Sequence, residues 1–386
     1  MSKPKLCLIT TVPMSFATLL EGQPRYLSQE FDVSLVCGPG PRVGRVEEQE
    51  GMPVHVLPLT RQITPKSDAI AVVKLTKYLR ELKPDIVQTY TPKAGLVGMT
   101  AAAAARVPIR VHGVVGMPLM EATGSRAAML QVTERTTYRM ATHLTCNSIN
   151  LRTWIQEHIT KRPITVIGNG SINGVDVTKF SADQFTQNAN TKLRRSLGIK
   201  PSETVFLFVG RVVRDKGVEE LITAFTRIAT DHPKARLLMV GDYEPELDPL
   251  TPAVDDAIRN HQQISEAGWV GDVRPYMAIS DVFVLPSYRE GLPNSLIEAG
   301  SMGLPSVATN INGCNEVIVP GDNGELVPKK SAAALERSMR RMIEDPTHRE
   351  TLQQKSRASV VSRYAQQEFF WPELMNVYRS ILAERG

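Results

Sequence analysis

Two carboxylates and two cations in the second half of the chain are residue types that could grip a polyol and neutralise a diphosphate. The carboxylates stand in Pro286-Ser287-Tyr288-Arg289-Glu290-Gly291-Leu292-Pro293-Asn294-Ser295-Leu296-Ile297-Glu298-Ala299. An ionised carboxylate accepts two hydroxyls well, so Glu298 suits a ribose diol and Glu290 the hydroxyls of a sugar. The cations stand in Gly210-Arg211-Val212-Val213-Arg214-Asp215-Lys216-Gly217. Arg211 offers a planar donor fork and Lys216 a point charge, and together they can neutralise a diphosphate without a metal. At about 4 Å each such contact contributes on the order of 1 kcal/mol in bulk water and about 4 kcal/mol at the effective dielectric of a protein surface. Enclosure therefore decides whether the two bind a ligand or only flank a helix entrance.

The elements that must position these side chains are legible nearby. An apolar run at 204–209 precedes the cations and a helical pattern at 218–229 follows them, so they flank a strand-to-helix turn. A second run at 281–285 leads into Pro286. Gly291 permits backbone conformations that other residues avoid, and Pro293 suits the first turn of a helix reaching about Met302, where Gly303 and Pro305 stop it. The amides at that helix start can hold phosphate oxygens. Gly291 and Pro293 interrupt the interval between Glu290 and Glu298, so the two do not form a simple helical stripe. Neither a Walker loop nor Gly-x-Gly-x-x-Gly after the first strand is present.

Short β-rich runs alternate with helical stretches along the whole chain. The first series is 5–10, 32–37, 54–57, 85–89, 109–112, 144–147 and 164–167; the second is 204–209, 236–240, 264–270, 281–285 and 306–308. Strands separated by helices imply right-handed crossovers and parallel sheets. Between the series lies Gly168-Asn169-Gly170-Ser171-Ile172-Asn173-Gly174-Val175-Asp176, rich in turn formers. The expectation is an α/β chain of two Rossmann-like, doubly wound domains, 1–175 and 176–366, whose strand ends face one central crevice. Segment 367–385 carries Phe369, Phe370, Trp371, Leu374, Val377, Tyr378, Ile381 and Leu382 at near-helical spacing, and is expected to pack back on the first domain.

With 386 residues, 42% hydrophobic and 22% charged, the chain is too long for one ordinary core and too apolar for disorder. The opening has too few apolar residues before Pro13 for a secretory core. The longest apolar stretch, 99–107, is mostly alanine and is ended by Arg106 and Pro108, so a cytosolic protein without a membrane span is expected. Cys7, Cys37, Cys146 and Cys314 have no Cys-x-x-Cys spacing and read as buried free thiols. The net charge of +5 sits in the first half, where residues 1–175 hold 20 Lys/Arg against 12 Asp/Glu. Such a basic half suits an anionic membrane or a phosphorylated substrate, or is simply a solvated face. No basic-aromatic motif supports nucleic acid as a partner.

The segment 286–299 resembles the Glu-x7-Glu signature of retaining family 4 glycosyltransferases with the GT-B fold. The resemblance extends to Gly210-Arg211 with Lys216-Gly217, Val240-Gly241-Asp242, Gly268-Trp269-Val270-Gly271, the turn ending in Gly174-Val175-Asp176, and 313–324. Tyr288-Arg289-Glu290-Gly291 and Gly168-Asn169-Gly170-Ser171 look more narrowly like bacterial enzymes that build lipid-linked surface polysaccharides.

The resemblance implies a nucleotide-sugar donor, with Arg211 and Lys216 on its diphosphate, Glu298 on the ribose and Glu290 on the transferred sugar. The amides of Gly291 and Leu292 would also bind it, and Trp269, Val270 and Gly271 would lie beside the base. His112, read as the end of its strand, would contact the donor sugar. A UDP-hexose or UDP-N-acetylhexosamine donor and a glycan or polyprenyl-diphosphate-linked acceptor are expected, with retention of anomeric configuration. The departure is at the amino terminus, where many relatives carry Gly-Gly and this chain has Thr11-Val12-Pro13-Met14-Ser15-Phe16. Thr11, Ser15 and Phe16 remain acceptor-side candidates by location.

No Asp-x-Asp occurs, so no metal or other cofactor is expected. Lys66, Lys74, Lys77 and Arg80, on one helical stretch with Ile70, Val73 and Leu79, could rest on anionic lipid at the inner membrane face or form a plain surface helix. Two other functions stay open: a GT-B epimerase of UDP-sugars, and a non-catalytic protein that binds sugar nucleotides.

Overall fold

A computed structural model describes residues 2–60, 64–246 and 248–384. The chain divides into two compact units, Met1–Gly174 with Gln366–Gly386, and Val175–Ala365.

The first unit holds β1 (Lys5–Ile9), β2 (Asp32–Cys37), β3 (Val54–Val56), β4 (Ile86–Tyr90), β5 (Ile109–Val114), β6 (His143–Cys146) and β7 (Thr165–Val166). They form one sheet in the order β3-β2-β1-β4-β5-β6-β7, and every pairing is parallel. The second unit holds β8 (Thr204–Val209), β9 (Ala235–Val240), β10 (Ile264–Gly268), β11 (Val282–Leu285), β12 (Ser306–Thr309) and β13 (Gly324–Val327), in the parallel order β10-β9-β8-β11-β12-β13. Central strands such as Val205-Phe206-Leu207-Phe208 are buried on both faces, which explains why they read as continuous apolar runs without alternation. In each sheet the winding reverses, between β1 and β4 and between β8 and β11. Open α/β sheets bind ligands beyond the carboxyl ends of the strands at such a reversal.

Several expectations need correction. β13 was not anticipated, because Gly324-Glu325-Leu326-Val327 follows the turn formers Gly321, Asp322 and Asn323 and carries a charge in its centre. β5 runs to Val114, so His112 lies inside the strand and not at its end. β10 stops at Gly268, where φ is +64°, and Trp269 to Gly271 lie in the following loop.

The C-terminal segment forms a π-type turn, Gln366–Phe370, and then the helix Trp371–Ala383; Arg385, its expected last residue, lies outside the described residues. Phe370, Trp371, Leu374, Met375, Tyr378 and Ile381 are buried in one cluster with Leu6, Leu8 and Phe16 of the first unit. The Trp371 indole stacks on Tyr26 at 4.8 Å and donates Nε1–H to Asn173 Oδ1 at 2.8 Å. All four cysteines are free and buried. No helix among the described residues is long and apolar enough to cross a membrane.

Candidate active site

In the second unit the turn after β8 is forced against the turn after β11 by a missing side chain. Gly217 has φ +69°, and a Cβ there would stand 2.0 Å from the Pro286 carbonyl oxygen. Only glycine allows that approach. The Tyr288 amide donates to Asp215 O at 2.8 Å and fastens the two turns together. As a result Lys216 Nζ lies 2.5 Å from Glu290 Oε1, with the two side chains 18% and 12% exposed.

Arg211 stands beside this pair. Its Nη1 donates to Glu244 Oε2 at 2.7 Å, and its Nη2 lies 3.9 Å from Asp215 Oδ1. Arg289 Nη2 holds the other Asp215 oxygen at 2.6 Å. Burial works to lower the Arg211 pKa, but the Glu244 hydrogen bond and the charges of Asp215, Glu244 and Glu290 outweigh it and raise the value. The guanidinium is therefore a fixed positive charge set among acids.

The backbone of 290–292 is held from the turn after β12. Asn312 Nδ2 donates to Glu290 O at 2.7 Å, and Gly313, at φ +80°, lies where a Cβ would be 2.1 Å from Gly291 O. Gly291 and Leu292 are buried. The helix that follows is Asn294–Ser301, with Pro293 as the residue before it rather than inside its first turn. Glu298 sits on the second turn of that helix, half-buried. Trp269 is 47% exposed in the loop after β10, and its amide donates to Asp242 Oδ1 at 3.2 Å. Arg211, Lys216 and Glu290 are thus brought together, and Trp269 is tied to the loop that carries Glu244. Sequence reasoning missed Glu244, Asp215 and Asn312. The available signal was four acids within seven residues, Asp242, Glu244, Glu246 and Asp248, directly after the β9 strand end.

The first unit treats its candidates differently. His112 is 1% exposed and its Nδ1 is 2.8 Å from Thr89 Oγ1. Burial pushes its pKa down to about 4, so the imidazole is neutral. A Cβ on Gly95 would lie 2.3 Å from His112 Cε1, which shows how tightly the ring is enclosed. Its side chain faces the packed interior, and the expected place at a strand end is not where it sits.

Thr11 is buried and shares a hydrogen bond of 2.8 Å with Thr91 Oγ1 across the β1/β4 reversal. Thr91, which the sequence reading passed over, has φ +73° and ψ 149°, a strained conformation for a β-branched residue and one met mostly at functional sites. Ser15 is buried, and Phe16 is fully enclosed in the core. Proximity to the first strand had suggested Phe16 for the acceptor side, but its ring serves packing. Among the described residues no group of three or more His, Cys, Asp or Glu is placed to hold a metal ion.

Comparison with known proteins identifies the family of the chain. Residues 189–359 fit the profile described as glycosyl transferases group 1, and residues 19–170 the profile described as glycosyl transferase 4-like domain. The chain is 30% identical to the capsular polysaccharide biosynthesis glycosyltransferase CapM of Staphylococcus aureus, covering 100% of this chain and 99% of that protein. It is 29% identical to an Escherichia coli UDP-Gal:alpha-D-GlcNAc-diphosphoundecaprenol alpha-1,3-galactosyltransferase, covering 89% of each. Among solved structures, HepE of Anabaena, crystallised with UDP and glucose, superposes with a TM-score of 0.80 at 21% identity over 98% of this chain and 99% of HepE. With its two parallel-sheet units and a full-length relative, the chain belongs to the family 4-type glycosyltransferases of the GT-B fold.

Proposed function

We propose that this enzyme transfers a sugar from a UDP-sugar to a hydroxyl of a lipid-linked glycan during bacterial surface polysaccharide synthesis, with retention at the anomeric carbon. The observation that carries the reading is the Lys216–Glu290 pair beside Arg211, at the strand reversal of the second unit. CapM's name places that relative in capsule synthesis, the E. coli relative's name gives UDP-galactose and a diphosphoundecaprenol-linked acceptor, and HepE was crystallised with UDP. These names support the same classes of donor and acceptor here.

In this reading Arg211 and Lys216 take up charge on the departing diphosphate, aided by the amides of Gly291 and Leu292. Glu290 accepts hydroxyls of the transferred sugar and Glu298 those of the ribose, while Trp269, Val270 and Gly271 border the base. The acceptor oxygen forms its bond to the anomeric carbon on the face that the diphosphate vacates. The bond to the diphosphate breaks with its electron pair, and the acceptor proton passes to that leaving group. Positive charge fixed in advance lowers the barrier because it needs no reorganisation as the leaving group becomes more negative. No metal enters this scheme.

Thr11, with Thr91 beside it, is assigned to the acceptor side. The helix Pro65–Leu82, with Lys66, Lys74 and Lys77 around Ile70 and Val73, is assigned to peripheral contact with anionic lipid at the cytoplasmic face of the membrane.

The test is a screen of UDP- and GDP-sugars with a polyprenyl-diphosphate-linked acceptor, with the new linkage read by NMR and one arm run in EDTA. Retained anomeric configuration and activity in EDTA are expected. An inverted product, or a strict need for divalent metal, overturns the mechanism. A changed sugar nucleotide formed without acceptor shows epimerisation instead.

A further inference from the structure

We propose that Glu244 holds the Arg211 guanidinium when no donor is bound, and that the diphosphate of the donor displaces it. Glu244 is then a removable lock that sets how tightly the site takes up its donor and how readily it lets the nucleotide diphosphate go. The inference rests on the reading above in which Arg211 and Lys216 receive the diphosphate.

The geometry is that of a carboxylate standing in for a phosphate. Glu244 Oε2 accepts from Arg211 Nη1 at 2.7 Å, an edge of the guanidinium that a phosphoryl oxygen would use. The contact is built in by the backbone. Val212 N–H donates to Asp242 O at 2.8 Å and Val212 forms a parallel bridge with Tyr243, so the residue after Arg211 is locked beside the residue before Glu244. Further along the same loop, Asp248 Oδ2 accepts the Asp215 amide at 2.7 Å. Glu244 thus projects from a loop tied down on both sides of it. Of the other acids near Arg211, Asp215 has Arg289 on its Oδ2 at 2.6 Å and reaches Arg211 only at 3.9 Å, and Glu290 is paired with Lys216 at 2.5 Å.

A diphosphate arriving here meets a guanidinium already neutralised. It must either take Glu244's place or accept a like charge close by, and both cost affinity. The Arg211 and Glu244 side chains are 41% and 24% exposed, so water can receive the released carboxylate. On product release Glu244 closes again on Arg211 and opposes rebinding.

The test titrates UDP and GDP calorimetrically and continues with whichever binds more tightly. Glu244→Gln should bind it about twofold to fivefold more tightly than the wild type, the range expected from removing one partly exposed charge contact. Glu246→Gln makes the same charge change on an exposed side chain of the same loop and should leave affinity unchanged. Unchanged or weaker binding by Glu244→Gln overturns the lock and makes Glu244 a prop for Arg211. Equal tightening by Glu246→Gln also overturns it, since the effect would then be the general field of the loop. Arg211→Ala separates the two readings: if it weakens binding while Glu244→Gln does nothing, only the lock fails. If the wild type binds neither nucleotide, or Arg211→Ala binds as well as the wild type, the donor reading fails and the lock with it.

Discussion

Lys216 Nζ and Glu290 Oε1 meet at 2.5 Å across 74 residues of chain, each presented by the turn that follows a central strand of the second sheet. In the proposed mechanism the pair joins the charge needed by a leaving diphosphate to the acceptor needed by sugar hydroxyls. Lys216→Ala and Glu290→Gln should each lower kcat/KM by about 100-fold to 1,000-fold, the scale seen when one preorganised electrostatic contact is removed. Because the two act as a unit, the double variant should lose much less than the product of the single losses. Steady-state rates check this, with urea denaturation to show that the fold survives. Turnover near the wild-type level in either single variant would take that residue out of the mechanism.

Gly217 and Gly198 share φ +69°, but only Gly217 has a carbonyl where its Cβ would go; nothing lies within 4 Å at Gly198. Gly198→Ala should therefore cost about 1 kcal/mol, the ordinary penalty of a left-handed non-glycine residue. Gly217→Ala should cost about 2–4 kcal/mol because backbone must also move. Activity should fall with it, since the shift carries Lys216 away from Glu290. Equal stability losses in urea would show that the close approach to Pro286 is not there.

Glu134 is 3% exposed, and burial pushes its pKa up to about 7, with the neighbouring Tyr138 phenol pulling it partly back. The folded carboxyl keeps its proton above the ordinary 4.5, so its contribution to stability is complete below that value and is lost as pH rises through about 7. His112 runs the other way: with its pKa depressed to about 4, its contribution is complete above 6.5 and is lost as pH falls towards 4. Between pH 5 and 8 the wild type should lose on the order of 2 kcal/mol relative to Glu134→Gln. Urea midpoints at the two pH values measure this, and a constant gap between the proteins would refute a protonated Glu134.

On the helix Pro65–Leu82, Ile70 is 53% and Val73 69% exposed, whereas Leu75 and Leu79 on the opposite side are buried. Two apolar side chains among lysines suit an anionic bilayer surface. Ile70→Ser with Val73→Ser should reduce sedimentation with phosphatidylglycerol vesicles several-fold, and salt should weaken binding of the wild type. Indifference to phosphatidylglycerol against phosphatidylcholine would end the membrane assignment.

The central strand β8 was readable because burial on both faces leaves a nearly unbroken apolar run, and it stands at the residues that run marks, 204–209. β2 was readable at 32–37 by its β-rich composition, although Asp32 is exposed. β13 was not, since an edge strand of four residues with Glu325 in it looks like the turn before it. Arg211, Lys216 and Glu290 were legible by type and by their place after strands. Their contacts were not, because Glu244 reaches Arg211 from 33 residues away and Asn312 reaches the Glu290 carbonyl from 22. Phe16 shows the converse error: adjacency to a strand end says where the backbone goes and nothing about which way a ring turns.

The helix Trp371–Ala383 follows the whole second unit in the chain yet completes the hydrophobic floor of the first. During vectorial synthesis the segment 1–174 leaves the ribosome with the surface around Leu6, Leu8 and Phe16 uncovered, and it waits until residues 175–365 have been translated. The later unit is complete before the earlier one can close. The interval in which the nascent chain is open to aggregation, or to capture by a holdase, therefore lasts at least as long as the translation of residues 175–365.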